Sequence, residues 1–290
     1  MKIRGSLYII CFIFFSVFAE LPQTYTLSEE EKSYLVKHGF LVIKGLIDFT
    51  TLYSCKQRFS KICKGVVDPG GILVVKEPSL ISTGAKGEDL INKVQEIHHD
   101  EVFSCYTEHP RLLHVLSQLI GGDLSVMHSM LINKPPGTAR HPPHQDLFYF
   151  PFRPAELIMA AWTAIDDVHV DNGCLFVIPG SHRGPLLDHG TVPNSNRLYH
   201  GILNEEAVPE SSRVYLEMSP GDTVFFHPLL VHGSGPNVSK RYRKAITAHY
   251  ANNSCEFYDE QSEVARQVEA EAQKKGIQIS YKVWSPGVPP

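Results

Sequence analysis

Apolar positions in the first third of the chain recur at helical spacing. Ser28 to His38 reads as a helix, with Ser28 and Glu31 in the capping-box pattern and Gly39 as its stop. Phe40-Leu-Val-Ile-Lys-Gly45 predicts a short strand. Asp48 to Lys64 predicts a second helix with Leu52, Cys55, Phe59 and Ile62 on one face. Further helices are expected near 88–98 and 110–120. From about 124 to 251 the pattern turns to strands, and Pro220-Gly221-Asp222 marks a turn between two of them. The Gly-, Pro-, His- and Asn-rich stretch from Ser181 to Ser212 reads as a loop or lid over a barrel mouth. A charged helix over 259–275 precedes a Pro-rich tail, so the fold class is mainly β with flanking helices.

At 290 residues and 43% hydrophobic content, the chain can bury a large core. One β-rich domain is expected over 20–275, between an apolar segment at 1–19 and a tail at 276–290. The net charge of −4 and the scattered basic residues give no nucleic-acid signal. The one basic cluster, Lys240-Arg241-Tyr242-Arg243-Lys244, reads either as a solvated strand edge or as charge for a phosphate group. Lys2 and Arg4 precede the apolar run Leu7 to Ala19, which has a small-residue end and the form of a signal peptide. The run is short for a membrane-spanning helix, which needs about 20 apolar residues. Against secretion stand the cysteines: beyond Cys11 there remain Cys55, Cys63, Cys105, Cys174 and Cys255, an odd number without framework spacing. They read as buried free thiols. Asn237-Val-Ser239 and Asn252-Asn-Ser254 are glycosylation sequons.

Candidate chemistry begins with His144-Gln145-Asp146. Side chains at i and i+2 of an extended strand share a face, so His144 and Asp146 point together and Gln145 points away. A third ligand must arrive from elsewhere. His227 and His232 compete for that place. His232 is preferred, because Gly233 and Gly235 allow close backbone approach, whereas His227 precedes Pro228 at a strand end. Two imidazoles and a carboxylate with open positions suit iron(II). They also describe zinc hydrolases, although no general base is evident beside them. No His-Glu-x-x-His, Gly-x-Ser-x-Gly, Walker loop or Gly-x-Gly-x-x-Gly is present. The run Arg243 to Tyr250 alternates, with Arg243, Ala245, Thr247 and His249 on one face. If that face lines a barrel, Arg243 is buried and needs an anion. A small dicarboxylate fits its planar fork.

The stretch His144-Gln-Asp-Leu-Phe-Tyr-Phe-Pro-Phe-Arg-Pro154 closely resembles the iron-binding segment of phytanoyl-CoA dioxygenases. Met127-His-Ser-Met-Leu-Ile-Asn-Lys-Pro-Pro136, Ala161-Trp-Thr-Ala164, Asn172-Gly-Cys-Leu175, Pro179-Gly-Ser181 and Gly221 to Gly235 resemble the same family in the same order. The resemblance implies an iron(II)- and 2-oxoglutarate-dependent dioxygenase on a double-stranded β-helix (a jelly-roll, cupin-like barrel), with ascorbate as reductant. It implies iron ligands at His144, Asp146 and His232. It implies 2-oxoglutarate contacts at Lys93, Met130, Gln145, Trp162, Ser234 and Arg243. The implied reaction is 2-hydroxylation of phytanoyl-CoA and related branched acyl-CoAs, as in fatty-acid α-oxidation, with O2 consumed and succinate and CO2 released. The implied compartment is the peroxisome, and the segment at 1–19 makes the secretory pathway the alternative. A hydroxylase of a non-CoA metabolite and a non-catalytic metal-binding barrel are the competing readings. Because histidine ligands bind metal only when neutral, iron is expected to be lost as the pH falls through roughly 6 to 7.

Overall fold

The computed structural model describes residues 23–191 and 200–257. The apolar segment 1–19, the expected helix at 259–275 and the Pro-rich tail lie outside the described residues. Helix α1 (Glu29–His38) carries the capping box: the Ser28 side chain accepts from the Glu31 backbone and the Glu31 side chain accepts from the Ser28 backbone. Gly39 ends it at φ 82, a left-handed geometry open to glycine. The predicted second helix is α2 (Phe49–Cys63), capped by the Asp48 carboxylate and buried along Leu52, Cys55, Phe59 and Ile62. Two short turns, α3 (Pro78–Ile81) and α4 (Ser104–Thr107), precede α5 (Pro110–Ile120), which buries Leu112, Val115, Leu116 and Ile120.

Two antiparallel sheets make the body. The larger runs in the order β1 (Phe40–Ile43), β12 (Thr223–Phe226), β7 (Ile158–Ala164), β14 (Arg243–Asn252), β4 (Leu124–Lys134), β3 (Ile91–Gln95) and β2 (Leu73–Lys76). The smaller runs β11 (Val214–Leu216), β8 (Leu175–Val177), β13 (His232–Ser234) and β5 (His141–His144). The pairs β6 (Phe152–Arg153) with β15 (Glu256–Phe257), and β9 (His189–Thr191) with β10 (His200–Ile202), complete it. This is the double-stranded β-helix arrangement.

Strand alternation divides the large sheet into two faces. Ile246, Ala248 and Tyr250 of β14, with Leu131, Met159, Ala161 and Phe225, pack on the helices. Ala245, Ala160, Trp162, Ala164, Val224 and Phe226 turn inward onto Leu175, Val177 and Leu216 of the smaller sheet. The inward face carries the candidate site.

Three expectations need correcting or refining. The helix expected near 88–98 is instead a 3-10 turn at Gly87–Asp89, strand β3, which pairs with both β2 and β4, and a second 3-10 turn at Ile97–His99. Leu90, Ile91, Val94 and Ile97 have helical spacing, but two flanking strands supply the hydrogen bonds and override it. The stretch from Ser181 to Ser212 contains β9, β10 and three 3-10 turns among its described residues. Of the five cysteines among the described residues, all free, Cys55 and Cys174 are buried, Cys63 and Cys255 are half-buried, and Cys105 is exposed. The Asn237 amide, where a glycan would attach, is buried and donates to the backbone oxygens of Lys134 and Arg241. The folded chain therefore hides that sequon.

Candidate metal centre and co-substrate end

His144 closes β5 and His232 opens β13, and the two are direct cross-strand partners. Antiparallel pairing thus brings together residues 88 positions apart, with ring centroids separated by 4.2 Å. Gln145 stays extended, after which a 3-10 turn over Asp146–Tyr149 swings the Asp146 carboxylate back beside His144. Asp146 Oδ1 lies 3.4 Å from His144 Nε2 and 3.6 Å from His232 Nε2. One ligand atom from each residue fits within 4.8 Å of the others, and all three side chains are buried. Both histidines are oriented by the backbone. His144 Nδ1 sits 2.9 Å from Pro142 O and His232 Nδ1 sits 3.0 Å from Leu230 O. A carbonyl only accepts, so each Nδ1 carries the proton and each Nε2 presents a lone pair to the common point. His227 does not join them. Its Nδ1 accepts from the Leu229 backbone N–H at 3.2 Å and its ring lies beside His182.

The charge balance suits a cation. Burial alone would raise the Asp146 pKa, but the neighbouring His232 and His249, with the hydrogen bond from His249, hold it well below the usual carboxylate range. Burial pushes His232 down to about 4, so it is neutral at physiological pH. One anionic oxygen and two neutral nitrogens remain, the donor set of a mononuclear iron(II) site with open positions.

His249 is the residue that sequence reasoning placed on the right face and left without a role. Its Nε2 lies 2.8 Å from Asp146 Oδ2. Donation there ties up the second carboxylate oxygen and leaves Oδ1 toward the histidines, which favours single-oxygen ligation. Phe150 packs on its ring at 5.1 Å. Such supporting hydrogen bonds are worth about 10–100-fold in metal affinity. His249→Leu is therefore expected to weaken iron binding by that order while the three ligands remain. Competition against a graded chelator measures it, and unchanged iron retention would remove His249 from this role.

At the other end of the inward face stands Arg243, 2% exposed. Its Nη2 donates to Gly173 O at 3.0 Å, but Nε and Nη1 meet no acceptor among the described residues, and neither does the buried indole Nε1 of Trp162. The guanidinium lies 5.5 Å from the Trp162 ring centroid. Burial lowers Arg243 to about 10, so it remains charged at neutral pH. Unmet buried donors on a cation are costly unless an acceptor comes from outside the chain. A carboxylate matches them, since two oxygens can bridge adjacent guanidinium N–H groups.

Between the two ends, Met130, Thr247 and Trp162 are cross-strand partners on β4, β14 and β7. Ser234 ends β13 and is buried. Met130, Trp162 and Arg243 therefore share the inward face of the large sheet, and Ser234 lies on the smaller sheet. Lys93 lies on strand β3 opposite Ile132, and burial lowers it to about 8. Its charge acts on His141, so it faces the same interior. Gln145 is placed differently. Its amide nitrogen donates to Leu229 O at 2.8 Å and Pro185 O at 3.2 Å, and its oxygen accepts from Leu187 N at 2.8 Å. Its side chain clasps the loop behind the ligands, as the i, i+1 alternation requires. Lys134, absent from the sequence candidates, enters the Arg243 end from β4 as the direct partner of Arg243. Its one sequence signal is a lysine at the end of a strand, just before Pro135-Pro136.

Comparison with known proteins agrees with this geometry. The family model described as phytanoyl-CoA dioxygenase (PhyH) matches residues 35–245. The chain is 41% identical over 265 residues to "Phytanoyl-CoA dioxygenase, peroxisomal" of Rattus norvegicus, covering 87% of this chain and 78% of the relative. It is 45% identical over 242 residues to "Probable phytanoyl-CoA dioxygenase" of Caenorhabditis elegans, covering 78% and 76%. Among solved structures, EctD from S. alaskensis with 2-oxoglutarate and 5-hydroxyectoine superposes with a TM-score of 0.63 at 20% identity, covering 82% of this chain and 80% of that one. The epimerase SnoN in complex with Fe3+, alpha ketoglutarate and nogalamycin RO gives 0.61 at 22%, covering 79% and 85%. These structural likenesses establish the fold. On the matched model and the extent of sequence identity, the chain belongs to the phytanoyl-CoA dioxygenase family.

Proposed function

We propose that this chain is an iron(II)- and 2-oxoglutarate-dependent dioxygenase that hydroxylates phytanoyl-CoA and related branched acyl-CoAs at C2. The products are the 2-hydroxyacyl-CoA, succinate and CO2. The observation that carries the reading is a buried His144–Asp146–His232 set sharing one barrel interior with the unmet donors of Arg243 and Trp162. The first suits iron and the second suits a dicarboxylate, and together they are what a 2-oxo diacid co-substrate requires. The names of the sequence relatives support the acyl-CoA substrate.

Iron bound to the triad supplies O2 activation coupled to oxidative decarboxylation of 2-oxoglutarate. The chain's own residues do the rest. Arg243 and Ser234 hold the far carboxylate and so fix the depth at which the 2-oxo acid head reaches the triad. Trp162 packs beside it. His249 holds Asp146, and the carbonyls of Pro142 and Leu230 hold the two imidazoles. Phe148, stacked on His189 at 4.7 Å, and Phe150 against His249 make apolar walls around the ligands. Such walls limit water at the reacting centre.

The test is purified protein with iron(II), ascorbate and 2-oxoglutarate, offered phytanoyl-CoA or free phytanic acid. Succinate formed in step with 2-hydroxyphytanoyl-CoA, and not with the free acid, is the expected result. Hydroxylation of neither would reject the substrate, and hydroxylation of the free acid alone would favour the non-CoA alternative. The peroxisome is the compartment we assign, on the relatives' names. A C-terminally tagged chain found in the endoplasmic reticulum, and released to the cytosol on removal of residues 1–19, would overturn that assignment.

A further inference from the structure

Two cations enter the barrel interior side by side. Arg243 on β14 and Lys134 on β4 are direct cross-strand partners, 2% and 3% exposed. Lys134 Nζ donates to Ala139 O at 2.9 Å, to Ser234 Oγ at 3.1 Å and to Gly235 O at 2.6 Å. An ammonium has three protons, and these three acceptors lie on two separate segments. Room for the lysine stem is made at Gly173. A Cβ there would sit 2.9 Å from Lys134 Cδ and Cε and 2.7 Å from Gly235 O, and the backbone is left-handed at φ +85. The same Gly173 offers its carbonyl to Arg243 Nη2. Lys134, Gly173, Ser234 and Arg243 are thus buried together, with the Gly235 carbonyl at their edge.

We propose that Lys134 is a positioning residue for the far carboxylate of 2-oxoglutarate, acting through the Ser234 hydroxyl. A serine hydroxyl can turn its single proton in several directions. Donation from the ammonium occupies a lone pair of Ser234 Oγ and repels its proton, which then points away from Lys134. Beside it stands Arg243, with Nε and Nη1 awaiting an acceptor. One carboxylate can therefore take hydrogen bonds from both side chains. Polarisation by the ammonium strengthens the serine's donation, as successive hydrogen bonds in a dry interior do. The inference rests on the 2-oxoglutarate reading of this site and adds how the serine is set.

The test is calorimetric binding to protein loaded with nickel(II), which needs no turnover. Lys134→Met and Ser234→Ala are each expected to weaken 2-oxoglutarate about tenfold, the size of one hydrogen bond to a charged group. In the double variant the losses should fall well short of their product, because both remove the same bond. With 2-oxobutyrate, which keeps the 2-oxo acid head and lacks the far carboxylate, neither variant should change affinity. Equal weakening toward both ligands would mean that Lys134 only braces the barrel end, and would overturn the proposal. So would fully multiplicative losses. Should Lys134→Met not fold, Ser234→Ala alone decides: 2-oxoglutarate affinity equal to that of the unaltered protein rejects any action through the serine. Failure of the unaltered, metal-loaded protein to bind 2-oxoglutarate is a separate result and rejects the co-substrate reading itself.

Discussion

Asp146→Ala is expected to empty the metal centre and abolish 2-oxoglutarate turnover while the barrel stays folded. Loss of a supporting hydrogen bond near a metal costs about 10–100-fold in affinity. Loss of the only anionic ligand should exceed about a hundredfold. Asp146 supplies the single negative charge among the three ligands, and without it two neutral imidazoles at ring-centroid separation 4.2 Å are left to hold a divalent ion. The cost to the fold is smaller. The carboxylate's structural bond is to His249 Nε2, and leaving that donor buried without a partner costs about 1–3 kcal/mol. Iron content after gel filtration, succinate formation and a thermal melt read the three consequences separately. Substantial succinate from the purified variant would sink the iron assignment, and collapse of the melt would show that the carboxylate holds the fold itself.

The ligand pair was legible because its geometry is local. One extended residue between His144 and Asp146 suffices to put both side chains on one side, and that remains true although Asp146 begins a 3-10 turn instead of continuing a strand. The capping box at Ser28 and the apolar face of α2 were legible for the same reason. Contacts across long separations were not. His249 shows the correct alternation from Arg243, yet its partner Asp146 lies 103 residues away. Lys134 and Ser234 are separated by 100 residues, so the lysine in Asn133-Lys134-Pro135 gave no hint of what it holds. The segment around Lys93 failed in another way. Its apolar residues have helical spacing, but β2 and β4 stand ready on either side to pair with it, and sheet hydrogen bonding decides. Sequence spacing reports which residues can share a face of a lone element and is blind to which neighbours the fold supplies.

Acid is expected to destabilise the iron-free chain between about pH 6.5 and 4, a window set by buried histidines. His98, His189, His227 and His232 are each lowered from an ordinary value of 6.5 to about 4, with burial the first cause in every case. In the unfolded chain they take up protons near pH 6.5, whereas in the folded chain they resist until about pH 4. Between those values the unfolded state binds more protons, so stability falls as the pH falls and levels off below the folded values. One pKa unit corresponds to about 1.4 kcal/mol. The fully enclosed His232 alone is then worth about 3 kcal/mol by pH 4, and the other three, which keep some solvent contact, less each. Against a typical domain stability of about 5–15 kcal/mol the sum is large. His189 shows why protonation is resisted. Its Nδ1 donates to Leu187 O at 2.7 Å, and its Nε2 accepts the Gln145 backbone N–H at 2.9 Å. A second ring proton would face that N–H and break the bond between the loop and the residue separating two metal ligands. Because His232 stays neutral to about pH 4, protons should compete with iron for it at lower pH than the 6 to 7 expected of a free imidazole. Thermal melts of iron-free protein at pH 7, 5.5 and 4.5 should drop steadily, and iron-loaded protein should lie above them at pH 5.5. Coincident melts from pH 7 to 4.5 would mean that these histidines take up protons in the folded chain as readily as in the unfolded one.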